Sequence, residues 1–572
     1  MCHNILMQQL RDLVTQAITD LDLETVNFGI DHPKDESHGD YSSNIAMILA
    51  KQMGEVPREL AQKILDKIPK SEIVDKVEIA GPGFINFYLT KEFLLTELGK
   101  AVIPTYGKNE LGKGKLAIVE YSSPNIAKPF TIGHLRSTVI GDSVANLLEY
   151  SGYRVLRDNH LGDWGTQFGK QITAIKHWGS IEDIGRSANP VKDLVALYVK
   201  FHEEAEKNPA LEDEAREWFK KLENGDAEAR DLWQKCIDFS WVEFKRIYDL
   251  LGVHHSSEFN DGRGLGESFF ENKMGDVIVA LEDKKLLKEG KEGAKLVFFE
   301  NDKYPPAMIL KKDGATLYHT RDLATDKYRL EKYRPDLVVN EVGAEQQLYF
   351  QQLFEIERIL GWYKPGQRVH VMHGMFRFKE GKMSTRKGNV VWLEEVLDEA
   401  IKRAEILGKG DKKVAQQVGI GALKWNDLKG EARRDIVFDW EEILNMKGNS
   451  GPFVQYTYAR ASSIIRRFSE SANPTLSDSD VSASQLVSEE LALLRWIYRY
   501  PEAVEEASTK LAPHIVAGYI YELAARFNTF YQACRVEEEG KVNELRYLLT
   551  QASANVLGSG LGLLGIVAPE EM

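Results

Sequence analysis

The sequence predicts a multidomain α/β protein: a small N-terminal α+β domain, a doubly wound parallel sheet split by a helical insertion, and a C-terminal all-α bundle. Three observations carry this. Apolar stripes at helical spacing fill residues 1 to about 70 and recur throughout the chain after residue 396. Between them, short apolar strands alternate with helices, a grammar that requires parallel pairing through crossovers. A charged, mostly helical stretch at 180–295 interrupts that alternation.

The first domain is assigned to 1–112. ILMQQLRDLVTQAI sets Ile5, Leu6, Leu10, Leu13, Val14 and Ile18 on one stripe, and NIAMILAKQM reads as a second helix. VEIAGPGFINFYLT reads as strand, Gly-Pro-Gly turn and strand, ahead of a glycine- and lysine-rich linker. The second domain, 113–395, opens with the strand KLAIVEY, the loop SSPNIAKPFTIGH and a long helix. YRVLRDNHL and its following helix complete a βαβ unit. After the insertion, MILKKDGATLYHT, DLVVNEVG and RVHVMHGM are taken as the returning strands of a Rossmann-type sheet. The third domain, 396–572, is a helical bundle containing a serine-rich surface loop.

Composition narrows the class. The 572 residues include 73 basic and 87 acidic side chains, a formal charge of −14, with 43% hydrophobic and 28% charged. At roughly 150 residues per domain, this length calls for about three or four domains. The hydrophobic share excludes a disordered protein, and the acidic balance excludes a histone-like nucleic-acid binder while allowing a local basic groove. Cys2, Cys236 and Cys534 lie far apart without a CxxC pair, so neither a disulfide framework nor a cysteine zinc site is expected. Arg11 and Asp12 interrupt the segment where a signal peptide needs an apolar core, and no run reaches the ~18–20 residues of a membrane span. A soluble cytoplasmic protein without membrane contact follows as the expectation.

Two loops carry the chemistry. In an open α/β sheet, ligands bind at the carboxyl ends of strands, where helix N-termini offer N–H groups to phosphate. SPNIAKPFTIGHL occupies such a place: Pro129 fixes the chain, Gly133 permits close approach, and His134 faces the site from the first helical turn. GKMSTRKGN, 250 residues on, sets Lys382, Arg386 and Lys387 on a glycine-bounded loop suited to a polyphosphate.

Together these segments resemble the class I aminoacyl-tRNA synthetases, with TIGH where that family has H-I-G-H and KMSTR where it has K-M-S-K-S. EYSSPNIAKPFTIGHLRST, NHLGDWGTQFGK, LYHTRDLATDKYR, GIGALKW and PFVQYTYARA narrow the resemblance to the arginyl-tRNA synthetases, and it covers nearly the whole chain. The resemblance implies L-arginine, ATP with Mg²⁺, and tRNA(Arg) as partners of a monomer, with no protein-bound metal. It implies ATP contacts from Pro124, Thr131, Gly133, His134, Lys382, Met383, Ser384, Arg386 and Lys387, and catalytic roles for Lys128, His134 and Lys382.

Two positions depart from the family pattern. Thr131 stands where the first signature histidine would be and cannot carry an imidazolium. Thr385-Arg386 replaces the second lysine, leaving Lys128, Arg386 and Lys387 as alternatives for its charge. A relative that binds tRNA without catalysis is the second reading these departures support.

A buried guanidinium needs carboxylates and oriented acceptors. Glu120, at the end of the first parallel strand, and Asp322, placed at a strand end in the second half, are implied to grip it. Tyr318 packs on it, Gln346 lies nearby, and Ser123, Asn125 and His134 hold the arginine backbone groups. For tRNA, Phe84 and Asn86 share one face of a strand and match D-loop positions, while Tyr456 and Arg460 offer an aromatic–basic surface for the anticodon. Basic runs at 377–387, 424–434 and 460–467 outline a confined track for RNA. GSGLGLLG is assigned to helix packing, His254-His255 to a solvated turn, and His370 and His373 to a strand.

Overall fold

The three regions and their order are present in the computed structural model, which describes residues 2–290, 293–378, 391–408, 411–469 and 486–572. The apolar stripe of α1 (Cys2–Thr19) buries Leu6, Leu10, Val14 and Ile18. Strands β1 (Ile30–Asp31) and β2 (Tyr41–Ser43) precede α2 (Ile45–Met53) and α3 (Pro57–Leu65). The hairpin β3 (Val74–Ala80) and β4 (Phe84–Leu89) closes with Ala80 opposite Phe84. It forms an antiparallel sheet ordered β1-β2-β4-β3. The strands β1 and β2, of two and three residues, are too short to show a period. Helix α4 (Lys91–Ala101) leads into the linker.

The central sheet begins with β5 (Leu116–Glu120), α5 (Ile132–Tyr150), β6 (Arg154–Asp158) and α6 (Thr166–Trp178). The insertion supplies α7 (Ile181–Arg186), α8 (Pro190–Lys207), α9 (Ala210–Glu223), α10 (Ala227–Leu251) and α11 (Met274–Asp283). It closes with β7 (Leu287–Glu289), β8 (Lys295–Val297) and β9 (Ala307–Leu310), a three-stranded antiparallel sheet. This corrects one expectation: MILKKDGATLYHT does not rejoin the parallel sheet. Its Ala307 to Leu310 segment pairs with β8, and the TLYHT end starts a helix.

The second half consists of α12 (Tyr318–Tyr333), β10 (Leu337–Gly343), α13 (Gln347–Leu360), β11 (Arg368–His373) and β12 (Phe376–Phe378). The parallel strands run β11-β10-β5-β6, so the chain moves outward in opposite directions from the β5/β10 boundary. A crevice opens at that switch point, beyond the strands' carboxyl ends.

Helices α14 (Leu393–Leu407) and α15 (Lys412–Leu428), strand β13 (Ile436–Phe438) and α16 (Trp440–Ile443) link the sheet to the bundle. The bundle itself comprises α17 (Gly451–Phe468), α18 (Ser488–Ile497), α19 (Tyr500–Lys510), α20 (Pro513–Ala533) and α21 (Glu544–Leu563). GSGLGLLG forms the C-terminal end of α21 and runs two residues past it; a Cβ on Gly560 would meet Ile520 at 2.4 Å and one on Gly558 would meet Tyr458 at 2.9 Å. These glycines let helices approach. No described helix is long and apolar enough to cross a membrane.

The solvated turn expected at His254-His255 is half right. His254 is exposed, but His255 is buried, its ring 4.9 Å from Tyr121 and 5.0 Å from Tyr248. Burial lowers its pKa to about 3, so it is a neutral core group.

Candidate active site

The sheet's register builds the floor of the site. Asn340 on β10, Glu120 on β5 and Asp158 on β6 stand side by side in register, the last two at the carboxyl ends of their strands. Helix α12 lies over them and presents Asp322, Asp326 and Arg329, spaced i, i+4 and i+7 and therefore on one face. Arg329 is buried and donates to Glu120, to Asp158 at 2.6 Å and to Asp326 at 3.0 Å. Arg368, on β11, grips Asp326 through two bonds of 2.7 Å and lies 3.1 Å from Glu357. Four carboxyl groups thus surround two guanidinium groups, and burial pushes the Glu357 carboxyl well above its usual range and raises that of Asp158.

A cavity of about 490 Å³ opens above this floor. Glu120, Ser123, Tyr318, Asp322 and Gln346 all line it, so five of the seven residues assigned to arginine come together from three separate segments. Asn125 and His134 are not among its lining residues; they flank it on the loop and helix that follow β5. Asp322 sits on α12 and not at a strand end, because the helix begins at Tyr318. Its carboxylate accepts from Tyr349, and burial raises its pKa to about 6. For Glu120, burial pushes the carboxyl up, but the Arg329 guanidinium outweighs it and holds the group below its usual range. One oxygen of Glu120 is therefore already committed to a protein cation. Tyr318 is 68% exposed at the rim.

Several contributors were not read from the sequence: His160, Glu267, Asp326, Arg329 and Tyr349 also line the cavity. The i, i+4, i+7 spacing in DLATDKYR was the available signal for Asp326 and Arg329. Both ring nitrogens of His160 are enclosed without a hydrogen-bond partner among the described residues.

The loop from Tyr121 to Phe130 is strained and clamped. Ser122, Ser123 and Ala127 hold φ values of 72°, 46° and 55°, a left-handed backbone costing about 1–3 kcal/mol each without glycine. Their N–H groups donate to Ser137 at 2.9 Å, Asn159 at 3.1 Å and Ser240 at 2.9 Å. Gly162 donates to the Pro124 carbonyl, and a Cβ there would lie 2.3 Å from Asn125 Oδ1. The insertion helix α10, which carries Ser240, thus acts as a brace for the loop.

At the start of α5, Thr131 N–H donates to His134 Nδ1 at 3.1 Å. That bond leaves Nε2 as the protonated nitrogen. Burial lowers His134 to about 4, so it is a neutral hydrogen-bond donor at physiological pH. Gly133 is exposed. Lys128 is half-buried, burial lowers its pKa, and it makes no ion pair among the described residues.

Lys382, Met383, Ser384, Arg386 and Lys387 lie outside the described residues. The segments flanking them are described and tied to the first loop. Leu393 N–H donates to the Phe130 carbonyl at 2.9 Å, and Ile132 N–H to that of Val391 at 3.2 Å. Arg136, two residues past His134, donates to Asp427 and to the carbonyls of Ala432 and Arg434. Gly374 N–H also donates to the Ala432 carbonyl at 2.9 Å, and the turn leads into β13, which pairs with β12.

On β4, Phe84 is 38% exposed, whereas Asn86 is only 2% exposed with Oδ1 unpaired among the described residues. The face they share gives solvent the ring but not the amide. On α17, Tyr456 and Arg460 line a cavity of about 880 Å³ with Tyr531. The Arg460 guanidinium lies 4.8 Å from the Tyr456 ring and 4.9 Å from that of Tyr531. The basic track is narrower than its sequence suggests. Lys424 is buried with Nζ 2.6 Å from the Gly565 carbonyl, and Arg466 pairs with Glu570 and Glu571.

Residues 101–440 match the family described as tRNA synthetases class I (R), catalytic domain. Residues 8–89 match the arginyl tRNA synthetase N-terminal domain, and 454–572 the DALR anticodon binding domain. An arginine–tRNA ligase of Clostridioides difficile is 42% identical over 97% of this chain and 98% of its own. One from Halothermothrix orenii is 40% identical over 99% of both. Among solved structures, arginyl-tRNA synthetase of Thermus thermophilus superposes with a TM-score of 0.82 at 26% identity, covering 99% of this chain and 100% of its own. That of Plasmodium falciparum gives 0.82 at 25% identity over 99% of both.

Proposed function

Because this chain belongs to the class I arginyl-tRNA synthetases, we propose that its carboxylate-rich cavity binds the guanidinium of L-arginine. The enzyme then joins that arginine to tRNA(Arg) in an ATP-dependent ligation. One observation supports the substrate assignment above the rest: five acidic side chains, Glu120, Glu267, Asp322, Asp326 and Glu345, line a space of about 490 Å³ beside the single guanidinium of Arg329.

The substrate guanidinium completes a set of charges the fold leaves unbalanced. Asp322 and the free oxygen of Glu120 accept from its fork, Tyr318 covers its plane, and Gln346 and Ser123 address the remaining polar groups. An uncharged analogue leaves those carboxylates unpaired, so discrimination comes from the binding site itself. The arginine carboxylate then attacks the α-phosphate of MgATP, giving arginyl-adenylate and diphosphate. The terminal ribose hydroxyl of tRNA attacks the acyl carbon, and AMP leaves. Catalysis is positioning plus stabilisation of phosphate charge. His134 donates through Nε2–H, Lys128 and Lys382 hold phosphate charge, and the hydrogen bonds of Phe130 and Ile132 tie the first loop to Val391 and Leu393. We assign these steps to a monomer in the cytoplasm.

The assignment is tested by charging total tRNA with each of the twenty amino acids in the presence of ATP and Mg²⁺. Arginine-dependent product is expected, and its absence would overturn the reading.

Arginine binding is expected to weaken as pH falls through about 6. A carboxyl raised to about 6 in the free site is protonated below that value, and the guanidinium requires its anion. The same sign makes the free protein's Asp322 a stabilising group below its unfolded pKa, with that contribution lost as pH rises through 6. Arginine should therefore raise the melting midpoint more at pH 7.5 than at pH 5.5. Equal shifts at both pH values would contradict the role given to Asp322.

For tRNA, Tyr456→Ala removes a 40% exposed ring from the α17 cavity. Loss of one stacking platform should cost about 1–3 kcal/mol of tRNA affinity. Filter binding checks this, with arginine affinity expected to be unchanged.

A further inference from the structure

The first signature position supplies no charge here, and the structure shows why Thr131 does not replace it even as a donor. Its hydroxyl lies 3.1 Å from His134 Nδ1 and is turned to the helix's own first turn. His134 is neutral. The start of α5 therefore offers ATP no imidazolium from its own motif.

A histidine stands at the ligand end of the outer strand. His373 is the last residue of β11, level with Gly343 at the end of β10. Its Nδ1 is 2.8 Å from Glu341 Oε1. Glu341 is fully buried, and its other oxygen has no partner among the described residues. The nearest other charges cancel one another: Arg136 of α5 pairs with Asp427 of α15 at 3.1 Å, both buried. With Glu341 and Asp427 both ionised, charge is balanced in this group of four when His373 is protonated, and an enclosed lone carboxylate is costly. Burial opposes the imidazolium, but the Glu341 carboxylate outweighs it and raises the ring above its ordinary value. The groups acting on it are Glu341 on β10, Arg136 and His134 on α5, Asp427 on α15, and His370 on its own strand. His134 and His373 are close enough for the charge of one to lower the basicity of the other. The His373 side chain is 16% exposed, and Nε2 has no partner among the described residues. His373 has thus an anchored nitrogen, a free nitrogen and a place at the strand edge facing the T-I-G-H turn.

Resting on the synthetase reading above, we propose that His373, anchored through Nδ1 by Glu341, takes the place of the missing signature histidine and binds the polyphosphate of ATP through Nε2–H. The two positions lie on different elements, α5 and β11, and the substitution at 131 is tolerated because the donor comes from the end of β11.

The test is tRNA-dependent ATP–diphosphate exchange by the full-length enzyme. His373→Gln should lower kcat about 100- to 1,000-fold, the range for loss of one preorganised donor to a transition state. It should leave the KM for arginine unchanged. Wild-type activity should fall on the alkaline side as the imidazolium is lost, and that limb should be absent in the variant. Glu341→Gln should move the limb to lower pH, a shift that a purely structural contact would not cause. Thr131→His in the His373→Gln background should restore at least tenfold, which also shows that the background folds. Full activity of His373→Gln beside an active wild type overturns this inference alone, as does a loss with neither a changed pH profile nor rescue. A wild type that activates no arginine overturns the synthetase reading on which it rests.

Discussion

Asp322→Asn is expected to reduce kcat/KM for arginine by roughly two to four orders of magnitude while leaving the KM for ATP within about twofold. Removing one partner of a buried charge pair costs about 3–5 kcal/mol, since the remaining ion is left desolvated and unpaired. Here the remaining ion is the substrate, and it arrives above a floor whose other carboxylates are already shared with Arg329 and Arg368. Asparagine keeps the shape and can still accept from Tyr349, so packing is little disturbed. Its amide nitrogen, however, turns a donor toward the donors of a guanidinium. The nucleotide end should not register the change: Asp322 lies on α12, whereas Thr131 to His134 lie at the start of α5. Steady-state exchange assays with arginine and ATP varied separately measure both constants. The variant should also lose the dependence of arginine KM on pH between 5 and 7, because it imitates the protonated carboxyl. An unaltered arginine response would sink the assignment of the cavity.

The contrast between Asp322 and Glu120 shows what the sequence could and could not disclose. Strand ends, helix stripes and loop positions follow from local periodicity, so the order of domains, the βαβ unit and the place of Glu120 were legible. The five residues assigned to arginine that line one cavity came from the resemblance carried by the long motifs and not from strand ends, since Tyr318 and Asp322 lie on a helix. Charge pairing was less legible. Glu120 reads as a free carboxylate in sequence, yet Arg329, 209 positions later, occupies one of its oxygens. Only the packing of α12 across β5 and β6 creates that contact. The same holds for the basic runs: Lys424 looks like RNA-facing charge but is spent on the carbonyl of Gly565. The strand taken from MILKKDGATLYHT has the right composition for either sheet. Its partner, β8, follows from the antiparallel return of the insertion and not from any residue within the strand. His255 failed for a related reason, since its two aromatic neighbours come from β5's end and from α10.

Arg329→Met carries the largest expected cost to the fold. Its guanidinium is the shared partner of Glu120, Asp158 and Asp326, all buried. Methionine fills much of the volume but leaves Glu120 and Asp158 facing each other across adjacent strands with no cation between them. A loss of about 3–5 kcal/mol is expected, read as a lowered denaturation midpoint for the catalytic region. The pH dependence fixes the cause. In the wild type, Arg329 holds Glu120 below its ordinary range, so this contribution is present above the unfolded pKa and lost as pH falls. In the variant both carboxyls lose that cation and take up protons more readily. The gap between variant and wild type should therefore be widest near pH 7.5 and narrow toward pH 5. Adding Asp158→Asn should recover part of the stability at pH 7.5, because it removes one of two mutually repelling charges. It should not restore arginine binding, which needs Glu120 ionised and held in place. A gap that stays constant with pH would assign the loss to packing and remove the electrostatic account of the floor.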